Sequence, residues 1–163
     1  MDIFDFAIDM EKQRQADYLQ LAGQTANKGL MKIYKLLADE EAKHYRIVER
    51  MKSHTPQELS STDILTRAKN IFKQIKISAE DFEIGIDVGQ ISTYKKAQEI
   101  EKKEREFYLR KSDEVKDEGQ KRIFIRLADE EKRHYFLLDN IIEFVSRPAR
   151  WLENAEWYHL DEY

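Results

Sequence analysis

Apolar positions recur every three or four residues along most of the chain, which is the spacing of α-helices that bury one face. Asn27-Lys28-Gly29 interrupts the first such stretch, because Asn and Gly commonly end helices. The second stretch runs to Thr55-Pro56, where proline prevents a helix from continuing. The pattern therefore predicts a helical hairpin with helices over about 2–26 and 30–53. The apolar positions assigned to its inner face are Phe4, Ala7, Thr25, Leu30, Ile33, Leu37, Val48 and Met51.

A second hairpin repeats the first at a constant offset of 90 residues. When 7–51 is aligned with 97–141 without gaps, 14 of 45 positions are identical. The repeat predicts helices over about 90–116 and 120–146, with a turn at 117–119 and an end at Arg147-Pro148. Two copies are too few for a solenoid, so a duplicated hairpin is the better interpretation.

About 36 residues, 54–89, connect the two hairpins. Ser61-Thr62-Asp63 predicts a helix start, and an amphipathic stripe follows it. We therefore expect a crossover with a short helix that lets the hairpins lie side by side. The predicted fold class is all-α, a ferritin-like four-helix bundle over 1–146. The stripe consists of Ile64, Leu65, Ala68, Ile71, Phe72 and Ile75.

The segment 147–163 forms an aromatic tail. We expect it to pack on the end of the bundle or on a partner chain, because so many aromatic side chains are rarely left in water. Its aromatic and imidazole residues are Trp151, Trp157, Tyr158, His159 and Tyr163.

Composition excludes several classes of protein. The 163 residues contain no cysteine, which excludes disulfides, thiol catalysis and cysteine-ligated clusters. The net charge of −4 disfavours nucleic-acid binding, and no apolar run reaches the roughly 20 residues of a membrane span. The amino terminus has no basic segment or signal-peptide core, so we expect a cytoplasmic protein.

The candidate chemistry lies where carboxylates interrupt the apolar stripes. Glu41 and His44 occupy inward steps between Leu37 and Val48, and the same pair recurs at the repeat positions, Glu131 and His134. One further inward glutamate lies on the first helix of each hairpin: Glu11 and Glu101. At 1.5 Å per residue, these glutamates lie at roughly similar depths from their turns, about 20–25 Å.

Four buried carboxylates need positive charge nearby, because an isolated buried charge is very costly. Two divalent cations cancel a charge of −4, and a Glu-x-x-His pair presents both side chains on one helix face. Oxygen and imidazole ligands suit iron or manganese, with zinc as another possibility. The predicted site is a carboxylate-bridged dimetal centre. The alternative is a structural bundle in which these residues are incidental, and a third Glu-x-x-His pair, Glu156/His159, is interpreted as an ordinary surface pair.

Several further polar residues are candidates for supporting roles. Tyr18 and Tyr108, two turns after Glu11 and Glu101, are expected either to hydrogen-bond ligand carboxylates or to pack as ordinary core residues. As a hypothesis, Glu40 accepts the second ring N–H of His134, and Glu130 that of His44. Asp39 and Asp129 are expected to be exposed. Glu104, which replaces the first copy's Arg14, is either a fifth inward carboxylate or a solvated residue.

These residues together resemble the rubrerythrin branch of the ferritin-like superfamily, over about 4–145. The resemblance implies that Glu11, Glu41, Glu101, Glu131 and His134 bind two irons. It also implies that His44 and Glu104 are alternative ligands of one iron, exchanged between its ferrous and ferric states. The residues that carry it are Glu11 with Tyr18, the stretch Leu37–His44, Glu101 with Glu104 and Tyr108, and the stretch Leu127–His134.

The chain departs from that family in having no cysteine with which to hold a rubredoxin-type iron. The resemblance therefore implies reduction of hydrogen peroxide, or of O2, with electrons from an external donor such as a rubredoxin. The alternatives are a ferroxidase or iron-binding protein without peroxidase turnover, and a catalase-like manganese protein. The tail aromatics and the family together lead us to expect a homodimer.

Overall fold

The computed structural model describes residues 2–55, 62–75 and 88–146. These residues form five α-helices and one short 3₁₀ turn, and they contain no strand. No helix in the described ranges is long and apolar enough to cross a membrane. The predicted all-α class is therefore confirmed. The helices are α1 (Ile3–Gln24), α2 (Lys28–Lys52), α3 (Ile64–Gln74), α4 (Ile91–Glu114) and α5 (Glu118–Ser146), with the 3₁₀ turn at Val88–Gln90.

The chain divides into two compact units after Ile64. The first unit contains the α1–α2 hairpin, whose helices begin at side-chain caps. Asp2 accepts a hydrogen bond from the Asp5 N–H at 2.8 Å, and Asn27 accepts one from the Leu30 N–H at 3.0 Å. These contacts satisfy backbone donors that the first turn of a helix leaves without a partner. Asn27 therefore caps the start of α2, in addition to following the end of α1.

Charged residues join the open end of the α1–α2 hairpin. Lys52, the last residue of α2, hydrogen-bonds the carboxylate of Asp5 in the first turn of α1. This hydrogen bond raises the pKa of Lys52. At the same end, the backbone N–H of Asp5 lowers the pKa of Asp2. All three side chains are at the surface, so the pairing sets the register of the two helix ends more than it adds stability.

The second unit contains the α4–α5 hairpin. Asp117 accepts the Gln120 N–H at 2.8 Å and so caps α5. A Cβ at Gly119 would lie 3.0 Å from Asp117 Oδ1, so glycine allows this aspartate to fold back over the helix end. The predicted turn at 117–119 is thus shorter than expected, because Glu118 and Gly119 already belong to the first turn of α5.

Helix α3 confirms the short helix predicted within the crossover. The Thr62 hydroxyl accepts a hydrogen bond from the Ile64 N–H at its start. Ala68 and Phe72 are fully buried, and the Phe72 ring lies 5.5 Å from that of Phe144 on α5. The C-terminal half of α3 therefore packs on the end of α5.

Burial agrees with most of the predicted inner face. Every inward residue predicted on α2 is buried. The exceptions elsewhere are Phe4, Ile71 and Ile75, which are partly exposed and lie in the first or last turn of a helix or just beyond it. The tail residues Trp151, Trp157, Tyr158, His159 and Tyr163 lie outside the described residues, as does Glu156, so the predictions for 147–163 stay predictions.

We expect Phe72→Ala to destabilise the metal-free protein by about 3–5 kcal/mol, because it removes a buried ring and leaves a cavity beside Phe144. Urea unfolding measures this cost. Arg67→Ala, on the exposed face of the same helix, should change the free energy of unfolding by less than about 0.5 kcal/mol. Equal effects for the two variants would contradict the packing of α3.

Candidate metal centre

Three ligand-type side chains meet inside the first hairpin. Glu11 comes from α1, while Glu41 and His44 come from α2 and lie one turn apart. All three are 0% exposed. The His44 Nδ1 atom lies 3.4 Å from Glu11 Oε1 and 3.3 Å from Glu41 Oε2. One nitrogen and two carboxylate oxygens therefore converge within a single hairpin.

The second hairpin repeats this arrangement. Glu101 comes from α4, and Glu131 and His134 come from α5. These three residues are also 0% exposed. The His134 Nδ1 atom lies 3.7 Å from both Glu101 Oε1 and Glu131 Oε2. The sequence repeat therefore extends to side-chain geometry, because Nδ1 is the ring nitrogen that faces the carboxylates in both hairpins.

The distances within each hairpin fit a shared cation. Ligand atoms about 2.0–2.2 Å from one ion lie roughly 2.8–3.1 Å apart in octahedral geometry and roughly 3.3–3.6 Å apart in tetrahedral geometry. The observed separations of 3.3–3.7 Å reach the tetrahedral range with shifts of a few tenths of an ångström at most. All pairs of ligand atoms within each set lie within 4.8 Å. The donor set, oxygen with imidazole, is one that iron and manganese accept.

Burial supports the same interpretation. Each hairpin encloses two carboxylates that are entirely removed from water. An ionised carboxylate in such a place is stable only when it is paired with positive charge and hydrogen-bonded. One divalent cation per hairpin would supply two positive charges to each pair.

Glu104 is buried as well, with only 3% of its surface exposed. The interpretation of Glu104 as a solvated residue is therefore wrong. Glu104 lies on α4 one turn after Glu101, so the second hairpin has a third buried carboxylate. At the equivalent position of the first hairpin, Arg14 forms an ion pair with Asp17, with Nη1 and Oδ2 2.6 Å apart. The two hairpins therefore differ in charge at this position.

The predicted supporting residues have different surroundings. Tyr18 and Tyr108 are buried, and the Tyr108 ring stacks on Phe124 at 5.9 Å. Their hydrogen bonds to ligand carboxylates stay a prediction. Asp39 and Asp129 are exposed, as expected.

The glutamates that precede the ligand glutamates are buried too, with 4% of Glu40 and 5% of Glu130 exposed. Glu40 Oε1 accepts a hydrogen bond from the Thr62 hydroxyl at 2.8 Å. Glu130 Oε1 lies 3.8 Å from Arg126 Nε. The proposed links from these glutamates to His134 and His44 stay predictions.

Sequence reasoning missed both of these partners. The sequence around Thr62 indicates only a helix start, and nothing in it points to Glu40, which lies 22 residues away. The contact between Arg126 and Glu130 is predictable from the sequence, because Arg126 precedes Glu130 by four residues and such pairs share a helix face.

Comparisons with known proteins agree with this arrangement. A family model described as Rubrerythrin matches residues 2–142. Among solved structures, a hypothetical protein from Pyrococcus furiosus has the same fold, with a TM-score of 0.59 and 22% sequence identity over 87% of each chain. A comparison with curated proteins finds no significant match. The family match confirms the predicted ferritin-like helical bundle and implies iron binding.

We expect Glu41→Ala and Glu131→Ala each to weaken ferrous ion binding by at least about 10-fold, because even outer partners of metal ligands contribute that much. Anaerobic calorimetric titration with Fe(II) measures the affinity. Asp39→Ala and Asp129→Ala remove the same charge two residues earlier on the same helices, from exposed positions, and should leave the affinity unchanged. Similar losses in all four variants would show that overall charge, and not the buried sets, governs binding.

We expect Thr62→Val to lower the free energy of unfolding by about 1–3 kcal/mol, because it removes a donor from the buried Glu40 carboxylate. Thr62→Ser keeps the hydroxyl and should restore most of this loss. Urea unfolding of both variants makes the comparison. A serine variant as unstable as the valine variant would mean that the methyl group, and not the hydrogen bond, matters.

Proposed function

This chain belongs to the rubrerythrin family, and we propose that it is an oxidoreductase that reduces hydrogen peroxide at a non-haem di-iron centre. The observation that carries the proposal is the duplicated, fully buried set of two carboxylates and one imidazole. Two such sets provide enough ligands to hold two metal ions. A cytoplasmic location and an external electron donor belong to the same proposal.

The residues proposed to hold the irons are Glu11, Glu41 and His44 in the first hairpin, and Glu101, Glu131 and His134 in the second, with Glu104 as a further ligand. Reduction of hydrogen peroxide to two waters consumes two electrons and two protons. Two ferrous ions held by these residues would supply one electron each and would serve as Lewis acids toward the oxygen atoms.

The protein's own contribution is positioning and charge. Each histidine lies one turn from its glutamate on a single helix, so the helix backbone fixes their separation. Burial keeps bulk water from the ligands and strengthens their attraction to a cation. Thr62 and Arg126 hold Glu40 and Glu130 beside the ligand glutamates.

Glu104 is proposed to favour the oxidised state. With two divalent ions, the five carboxylates Glu11, Glu41, Glu101, Glu104 and Glu131 give a formal charge of −1, and with two trivalent ions they give +1. The fifth negative charge therefore stabilises the ferric form relative to a site with four. The family resemblance supports this role, because there the equivalent position exchanges with that of His44 as iron changes oxidation state.

The electrons come from outside the chain in this proposal. Without cysteine, the sequence has no thiolates with which to hold a relay iron. A separate one-electron donor of the rubredoxin kind has to re-reduce the centre between turnovers.

We expect the anaerobic, iron-loaded ferrous protein to be oxidised rapidly by about one equivalent of hydrogen peroxide, and to consume peroxide continuously when reduced rubredoxin is supplied. Stopped-flow absorbance follows the first step, and an electrode follows the second. Oxidation by O2 alone, without peroxide turnover, would instead identify a ferroxidase. A ferrous spectrum unchanged by peroxide would disprove the proposed activity.

We expect Glu104→Gln to slow peroxide turnover by roughly 10-fold or more, because it removes a negative charge that favours the ferric state. It should also raise the reduction potential of the centre. Glu106→Gln, on the exposed face of the same helix, is the matched control and should change neither quantity. An unchanged reduction potential in the Glu104→Gln protein would show that Glu104 is not part of the proposed site.

A further inference from the structure

A pocket of about 230 Å³ is lined by residues of both helices of the α4–α5 hairpin. Three of them are cations, Lys102 and Arg105 on α4 and Lys132 on α5. The partly exposed rings of Tyr135 and Phe136 also line it, with centroids 5.8 Å apart in an edge-to-face arrangement. We name these five residues the basic patch. Aromatic residues inside a polar rim are typical of surfaces at which proteins bind one another.

The cations of the basic patch are not neutralised by ion pairs. None of the three forms an ion pair within the part of the chain that the structure describes. Arg133, which follows Lys132 directly on α5, does form one, with its Nη1 atom 2.7 Å from Asp129 Oδ2. In a chain with a net charge of −4, three such cations around one pocket form a local positive field.

The basic patch is specific to the second hairpin. Two of its three cations have no charged counterpart in the first hairpin, because Gln15 and Ala42 occupy the repeat positions of Arg105 and Lys132. The second aromatic ring of the patch is missing there as well, since Arg46 occupies its repeat position. The duplication therefore keeps the buried ligand set but not this surface.

The third cation, Lys102, differs from its counterpart in its pairing. In the first hairpin, Lys12 Nζ lies 4.0 Å from Glu49 Oε1. The repeat position of Glu49 is Asp139, whose Oδ1 atom instead accepts a hydrogen bond from the Gln98 side chain at 3.2 Å. Gln98 thereby replaces the lysine as the partner of this carboxylate, and Lys102 can bind a carboxylate of another protein.

The basic patch lies close to the second hairpin's proposed metal ligands. Lys102 directly follows Glu101, and Lys132 directly follows Glu131, and consecutive Cα atoms are about 3.8 Å apart. Both glutamates are 0% exposed, so the pocket is not a passage through which a ligand enters the site. An electron needs no passage, because it crosses packed protein over short distances.

We propose that the basic patch is the docking surface for an acidic protein that carries one electron at a time. The inference rests on the proposed di-iron function, which requires an external donor and takes Glu101 and Glu131 to be metal ligands. Complementary charge steers such a partner to the patch and accelerates association more than it increases affinity. A donor docked there lies against the two helices that hold the second ligand set.

The electron transfer balances over two visits of the carrier. At each visit the carrier gives up one electron and is itself oxidised, and one ferric ion held by the ligand sets is reduced to the ferrous state. Two visits therefore return the two electrons that the reduction of one peroxide consumes.

The test uses a reduced rubredoxin of acidic net charge as the probe, with the iron-loaded ferric full-length protein. Anaerobic stopped-flow absorbance measures the second-order rate of electron transfer from the appearance of oxidised rubredoxin. We expect K102E/R105E to react on the order of 10-fold more slowly than the wild type at low ionic strength. This difference should shrink as added salt screens the charges. Lys132→Gln is a milder change that should lower the rate in the same direction.

The matched control is K103E/R110E. Lys103 and Arg110 are exposed on the same helix and do not line the pocket, so this variant has the same net charge with an intact basic patch. It should react at least about threefold faster than K102E/R105E at the same ionic strength, because screening confines the effect of a charge to its neighbourhood.

Binding is measured separately, with both proteins oxidised so that no electron is transferred. Biolayer interferometry against immobilised oxidised rubredoxin should show weaker binding for K102E/R105E than for K103E/R110E or the wild type. Binding that is lost in sodium phosphate but kept in sodium chloride of equal ionic strength would identify a site for small anions and overturn the docking proposal.

Two further outcomes would contradict the inference. Equal rates in K102E/R105E and K103E/R110E would show that the position of the charges does not matter. Ferric wild-type protein that dithionite reduces but rubredoxin does not would show that an acidic carrier does not dock productively. Failure of the proposed function is distinguishable, because it appears as a protein that binds no iron or whose ferrous form peroxide does not oxidise.

Discussion

The structure depends on one electrostatic constraint, the stability of carboxylates in the helical core. Glu11, Glu41, Glu101 and Glu131 are all removed from water, at positions where the helical period calls for apolar residues. Leucine at each of these positions would make the bundle more stable than glutamate does, because leucine adds apolar burial without a desolvation cost. A cation bound among the glutamates would offset their desolvation cost, and the remaining core packs around them.

Sequence reasoning reached much of this arrangement because the decisive interactions are local in the chain. Glu41 and His44 share a helix face through their spacing alone, and the 90-residue repeat shows that the pattern is not accidental. Helix α3 was predicted from its stripe, and Ala68 and Phe72 are buried accordingly. The bounds of the turn at 117–119 do not follow from the sequence, since they depend on the Asp117 side chain folding back over Gly119. The spacing of apolar residues gives no information about this contact.

The contacts that sequence reasoning missed are those that depend on the path of a connection. The hydrogen bond from Thr62 to Glu40 forms only because the residues before α3 return to the middle of α2. Glu104 is a different case, because the sequence leaves it open between an inward and a solvated position. Its neighbours Lys102, Lys103, Arg105 and Glu106 are all exposed, and Glu104 is the member of this charged run that is buried.

The two ligand sets also share a property of chain topology. His44 follows Glu11 by 33 residues (44 − 11), and His134 follows Glu101 by 33 residues (134 − 101), so each set closes within a single helix–turn–helix segment. Contacts of such short sequence separation form early, because little loop entropy is lost in making them. We therefore expect nascent chains to assemble the first cluster before the second has left the ribosome.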